Sequence, residues 1–156
     1  MKRRSTVIAG HDGTTRGLDA VAHARRLADA QHARLLVVHV IDHEMPYTST
    51  DLDHQHRLRG HVHRVFDPIH RELGRDIETQ LVSALSTRAG LREAAEGAHA
   101  ELVVVGASHH GPVGHVLYGD VAHWLTRHCD CPVEVAPLGA REGPSAVPAV
   151  HARPPD

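Results

Sequence analysis

The sequence has little excess charge, no long hydrophobic run and only two cysteines, and each of these absences removes a class of function. A net charge of −2 leaves no basic footprint for a nucleic-acid partner. No stretch approaches the roughly 20 apolar residues of a membrane-spanning helix, so no membrane partner is expected. Met1-Lys2-Arg3-Arg4 resembles the opening of a secretory signal, but the apolar run behind it is only Val7-Ile8-Ala9. That is far short of the roughly 7–15 residues of a signal core, and a cytoplasmic protein is expected. Cys129 and Cys131 are one residue apart. At a strand start their side chains would point to opposite faces, which disfavours a bridge, and free thiols fit a reducing compartment. There is no Gly-x-Ser-x-Gly elbow and no serine or cysteine in a catalytic setting, so no catalytic residue is assigned and the chain is read as a non-enzyme.

What the sequence does have is histidine, 17 in 156 residues, spread along the whole chain. With a reference pKa of ~6.5, they make net charge steeply dependent on pH near neutrality. The length suits one well-buried domain, and 41% hydrophobic residues suit a globular one.

Apolar runs and turn residues lay out alternating strands and helices. Thr6–Gly10 reads as a strand ending in the turn Gly10-His11-Asp12-Gly13, with Thr14 or Thr15 placed to cap a helix that carries Leu18, Val21, Ala24 and Ala28 at helical spacing. Arg34–Val40 is a continuous apolar run, the mark of a strand covered on both faces. Asp51–Leu73 reads as a long polar helix, broken or bent near Pro68. Ile77–Val82 is a weaker strand, followed by a helix capped by Ser86 or Thr87 and carrying Leu91, Ala94, Ala95 and Ala98. Leu102–Val105, a helix over Asp120–His128 and a short strand Val133–Val135 complete the pattern. Such alternation predicts a parallel α/β sheet with helices on both faces. Residues 1–138 form that domain, and 139–156, rich in Pro and Ala, read as a disordered tail.

The most informative stretch is Glu101–Pro137. A buried-type strand runs into a loop bearing Gly106, Gly111, Gly114 and Gly119, which ends against an amphipathic helix. Strand, Gly-rich loop and helix N-terminus together present converging N–H groups to an anion. In a parallel sheet the ligand crevice lies at the carboxyl ends of the strands where the winding reverses. The turns after the first and fourth strands are therefore the candidates to face each other across it.

Three segments resemble the universal stress protein family: VIAGHDGT, LLVVHVID and ELVVVGASHHGPVGHVLYGDVAHWLTRHCDCPVEV. The resemblance implies a five-stranded parallel sheet of order 3-2-1-4-5, Rossmann-like and of the adenine nucleotide alpha hydrolase type. It also implies a homodimer through the last strand and a role in stress responses, with one branch of the family binding ATP. Asp12 matches the family's Asp near the nucleoside and Val40 the residue lining the adenine pocket. Gly106 and Gly119 match the first and third glycines of the phosphate motif, and Val121 follows them into the pocket.

Two positions depart from that motif. His109 stands where the second glycine belongs and Asp120 where a Ser or Thr belongs, and Gly111 and Gly114 do not restore the register. A ring at His109 crowds the backbone approach. The carboxylate of Asp120 only accepts hydrogen bonds and is expected to cap the helix itself. Two unit charges ~4 Å apart repel by about 4 kcal/mol at an effective dielectric of ~20. The expectation is a stress-response regulatory module with a degraded phosphate loop and no resident cofactor. The alternative is an ATP- or AMP-binding stress sensor, with Mg bridging Asp120 to the phosphates. Without the resemblance, Asp12 reads simply as organiser of its own turn.

Dimerisation has a physical counterpart: Val133 and Val135 face one way and Glu134 the other, so one face is buried while the strand edge stays open to pairing. No metal site is expected. Only histidines three or four apart chelate within one helix, and none of the set His54, His56, His61, His63 and His70 is so spaced. His128, Cys129 and Cys131 are crowded but lack a second ligand pair.

Overall fold

The computed structural model describes residues 3–42, 51–107, 119–143 and 150–152. Five parallel strands form the centre of the sheet: β1 (Thr6–Gly10), β2 (Arg34–Asp42), β3 (Glu78–Ala84), β4 (Leu102–Val105) and β5 (Val133–Val135). Their order is β3-β2-β1-β4-β5, with a sixth strand, β6 (Val150–Ala152), antiparallel on β5. Four helices cover the faces: α1 (Thr15–Gln31), α2 (Asp51–Leu73), α3 (Thr87–Ala98) and α4 (Asp120–His128).

Strict alternation along the buried strands divides the core in two. Ile8, Val38, Val103, Val133 and Val135 point to the α3–α4 side, where they meet Leu91 and Leu125. Val7, Val37 and Val104 point to the α1–α2 side, against Val21, Phe66 and Ile69. Because β1, β2 and β4 are buried on both faces, they read as continuous apolar runs in the sequence. β3 lies at the sheet edge and alternates, and it begins one residue and ends two residues further along than the apolar run suggested.

The helix ends follow local chemistry. Thr14 caps α1 through the Gly17 N–H, and Ser86 caps α3 through the Ala89 N–H. Both helices close on a histidine in the left-handed region, His32 at φ 53° and His99 at φ 50°, where glycine or asparagine is the usual occupant. α2 runs unbroken through Pro68. Proline removes one hydrogen bond there, but the docked side chains Val65, Phe66 and Ile69 on either side of it hold the helix to the sheet.

The tail differs from expectation. Rather than being disordered from 139 onward, the chain forms a 3-10 turn at Ala140–Glu142, with Ala140 fully buried, and pairs again as β6. Backbone anchorage accounts for this where composition gave no sign: the buried Asp19 carboxylate accepts the N–H groups of Gly139 and Arg141 at 3.0 and 3.1 Å. Arg26 donates to the Ala140 carbonyl. One consequence is that the edge of β5 is paired within the chain, so the open edge expected for dimerisation is filled by β6.

Cys129 and Cys131 precede β5, and both point into the α3–α4 core rather than to opposite faces. Both thiols are free, and burial pushes that of Cys129 up to about 11, which makes it a poor nucleophile. Among the described residues no helix is long and apolar enough to cross a membrane.

Candidate functional site

The sheet reverses its winding between β1 and β4, and a cleft of about 430 Å³ opens there at the carboxyl ends of β1, β2 and β4. Gly10 to Asp12, Val38 to Val40 and Val105 to Ala107 form its floor. The first turns of α1, α3 and α4 form its walls through Arg16 and Gly17, Thr87 and Leu91, and Gly119 to Ala122. Asp12, Val40, Gly106, Gly119, Asp120 and Val121 are all brought to this one cleft. His109, like Gly111 and Gly114, lies outside the described residues.

Several of these residues have local structural duties. Oδ1 of Asp12 accepts the Thr14 N–H at 3.0 Å and the Thr14 hydroxyl at 2.5 Å, an Asx-type turn that fixes the entry to α1. Val40 packs on α3, where any Cβ at Gly90 would meet its two methyls at 2.6 and 2.7 Å. Gly106 lets β4 end directly against α1, since a Cβ there would sit 2.7 Å from the Arg16 carbonyl oxygen.

The expectation for Asp120 is corrected. The N-cap of α4 is Gly119, which has no side chain to offer, and Asp120 is the first helical residue, solvent-exposed. Among the described residues no side chain caps the first N–H groups of α4, and the helix end faces the cleft. Exposure also weakens its field: at ~4 Å two unit charges repel by about 1 kcal/mol in a water-like dielectric.

Arg16, which sequence reasoning missed, lines the cleft from α1 and donates from Nη1 to the Ala107 carbonyl at 3.4 Å. A cation on the first turn of the helix after the Asp-Gly turn was the available signal. The described lining thus carries one guanidinium against two carboxylates, Asp12 and Asp120.

Two buried histidines, also missed, close the α2 side. His11 Nε2 bonds the Val65 carbonyl at 3.2 Å, and its Nδ1 is buried without a partner. His39 Nδ1 bonds the His11 carbonyl at 2.7 Å. Burial above all lowers the pKa of His11, with Asp12 acting in the opposite direction. A polar residue inside the apolar run of β2 was the sequence signal for His39, because a doubly covered strand has no solvent for an imidazole.

A doubly wound parallel sheet with one cleft at its reversal point defines the architectural class. The model of the universal stress protein family matches residues 3–137, and the chain belongs to that family. A protein of this family from Burkholderia pseudomallei is 27% identical, with a TM-score of 0.61 over 85% of this chain and 96% of that one. A universal stress protein solved in complex with cAMP is 24% identical, with a TM-score of 0.56 over 86% and 98% of the two chains. A family protein from Arabidopsis thaliana with AMP bound is 15% identical, with a TM-score of 0.56 over 91% and 97%. No curated protein sequence matches the chain.

Proposed function

We propose that this chain is a non-enzymatic, cytoplasmic regulatory module whose cleft takes an adenosine-type ligand and holds phosphates poorly. The observation that carries this reading is the contrast within the cleft. Val38, Val40, Leu91, Val105 and Val121 offer apolar walls for a base, while the polar end sets Arg16 against Asp12 and Asp120. The complexes of related proteins with cAMP and AMP support the ligand class. On the side of a non-enzymatic role, the Val65 carbonyl holds His11 Nε2 and the His11 carbonyl holds His39 Nδ1, so both rings serve the packing of the cleft. Arg16 and the uncapped α4 end favour a second reading, an AMP or ATP sensor in which Mg offsets Asp120.

Calorimetric titration separates the two. Adenosine and AMP should bind more tightly than Mg-ATP, and Asp120→Ser should tighten ATP about fivefold, the equivalent of ~1 kcal/mol. Micromolar Mg-ATP binding that Asp120→Ser leaves unchanged would establish the sensor reading instead.

A homodimer belongs to the proposal, supported by a sheet edge that is unpaired among the described residues, but that edge is now the outer side of β6 rather than β5 with Val133 and Val135. Light scattering should give a dimer mass at tens of micromolar for the full chain. A monomer mass at every concentration would remove dimerisation from the reading.

A further inference from the structure

α2 changes character at His61. Residues 53–60 are exposed or half-buried, whereas Val65, Phe66 and Ile69 are buried against the sheet. At the boundary His61 Nε2 lies 2.9 Å from His39 Nε2, with ring centroids 5.0 Å apart. The tautomers follow from the partners. The His11 carbonyl only accepts, so His39 Nδ1 carries the proton that bonds it. In a neutral His39 the Nε2 atom is then a lone pair, and His61 Nε2 must donate to it.

Proton counting gives this contact three states. With both rings neutral, the bond from His61 to His39 is made. One added proton, taken on His61 Nδ1, leaves that bond in place. A second proton must go to His39 Nε2, which turns the contact into two N–H groups and two positive charges facing each other.

We propose that the His39–His61 pair is an acid-operated latch, holding the N-terminal half of α2 to the sheet until both rings are charged. The groups facing it set its range. Burial, then His39, then Arg64 on α2 all lower the pKa of His61. From the turn after β1 come His11, whose pKa is itself lowered, and Asp12, which acts on His11 in the opposite sense. Phe66 presents its edge to His39 and adds no charge. The latch is closed while either ring is neutral, and the lowered pKa of His61 displaces the doubly charged state toward acid. His11 and His39 both line the cleft, so the latch acts on its floor, whatever the cleft binds.

The sign for stability is the same. A histidine whose folded pKa is lowered binds fewer protons folded than unfolded, so stability is full above the unfolded value and falls as pH drops toward the folded one. The test is hydrogen exchange on the full chain at about pH 7.5 and about pH 5, on either side of the histidine range. Rates are corrected for intrinsic chemistry, and residues 53–60 are read relative to 65–73. The wild-type ratio should rise about tenfold in acid, the equivalent of about 1.4 kcal/mol. His61→Gln can still donate to His39 Nε2 but does not titrate, so its ratio should be the same at both values. Arg64→Gln removes a charge that opposes protonation and should move the opening to higher pH. A wild-type ratio independent of pH would overturn the proposal. So would a His61→Gln protein that keeps the wild-type pH difference, or an Arg64→Gln protein that opens at the wild-type pH.

Discussion

Gly106→Ala is expected to unfold at a lower urea concentration than the wild type, by the equivalent of about 1–3 kcal/mol, with no nucleotide present. The added methyl carbon would lie 2.7 Å from the carbonyl oxygen of Arg16 and 3.0 Å from its carbonyl carbon. Both are backbone atoms, so no rotamer change relieves the contact. β4 cannot retreat, because it is hydrogen-bonded between β1 and β5. α1 cannot retreat either, because Leu18, Val21 and Ala24 are packed on the sheet. Whichever element shifts, the Arg16 guanidinium is carried off the Ala107 carbonyl, so affinity for AMP should fall as well. Gly97→Ala is the matching control. It lies in α3 with nothing within 4 Å of the added carbon, and the substitution should stabilise by about 0.4–1 kcal/mol. An unchanged midpoint for Gly106→Ala alongside lost AMP binding would show that the glycine serves a ligand and not the α1 contact.

That position shows how sequence and structure divide the labour. Gly106 is legible as the first glycine of a phosphate-type motif. What approaches it is a helix turn 90 residues earlier in the chain, and only the fold brings that turn there. β1, β2 and β4 were legible because burial on both faces writes itself as apolar runs, and the caps because Thr14 and Ser86 act within three residues. Pro68 misled because local propensity was outweighed by tertiary packing. Asp120 misled by a single residue: Asp at the first helical position and Asp at the cap look alike in sequence, yet one leaves the N–H groups uncapped and the other occupies them.

The histidines were legible as a number and illegible as roles. His32 and His99 close helices, His23 bonds Glu134 at 2.8 Å, His70 bonds the Ile77 carbonyl at 3.0 Å, and His128 stacks on Trp124 at 4.0 Å. Spacing along α2 speaks only to chelation within that helix. It is silent about His61 meeting His39, because that pairing depends on the register of α2 over β2.

Asp19→Ala is expected to release the segment that follows β5. Asp19 sits among the apolar residues of α1, 3% exposed, and an unpaired buried carboxylate would be strongly unfavourable. Its two oxygens are instead divided between the Gly139 and Arg141 N–H groups, a bidentate cap on the 3-10 turn. Hydrogen bonds to a charged group contribute roughly 1.5–3 kcal/mol each, but the loss here has a ceiling. Once both bonds are gone, the segment can undock, exposing Ala140 and leaving Arg26 in water. The expected effect is therefore about 2–3 kcal/mol, read as exchange of the Gly139 and Arg141 amides roughly 30- to 150-fold faster. Asp19→Asn keeps one acceptor oxygen and should fall between the two proteins. Because β6 reaches β5 only through this segment, undocking also loosens the strand that covers the β5 edge. Asp19→Ala should then self-associate at concentrations where the wild type does not change mass, since an uncovered edge pairs with a neighbour. Wild-type protection of both amides in Asp19→Ala would mean that Ala140 burial and Arg26 hold the segment without the carboxylate.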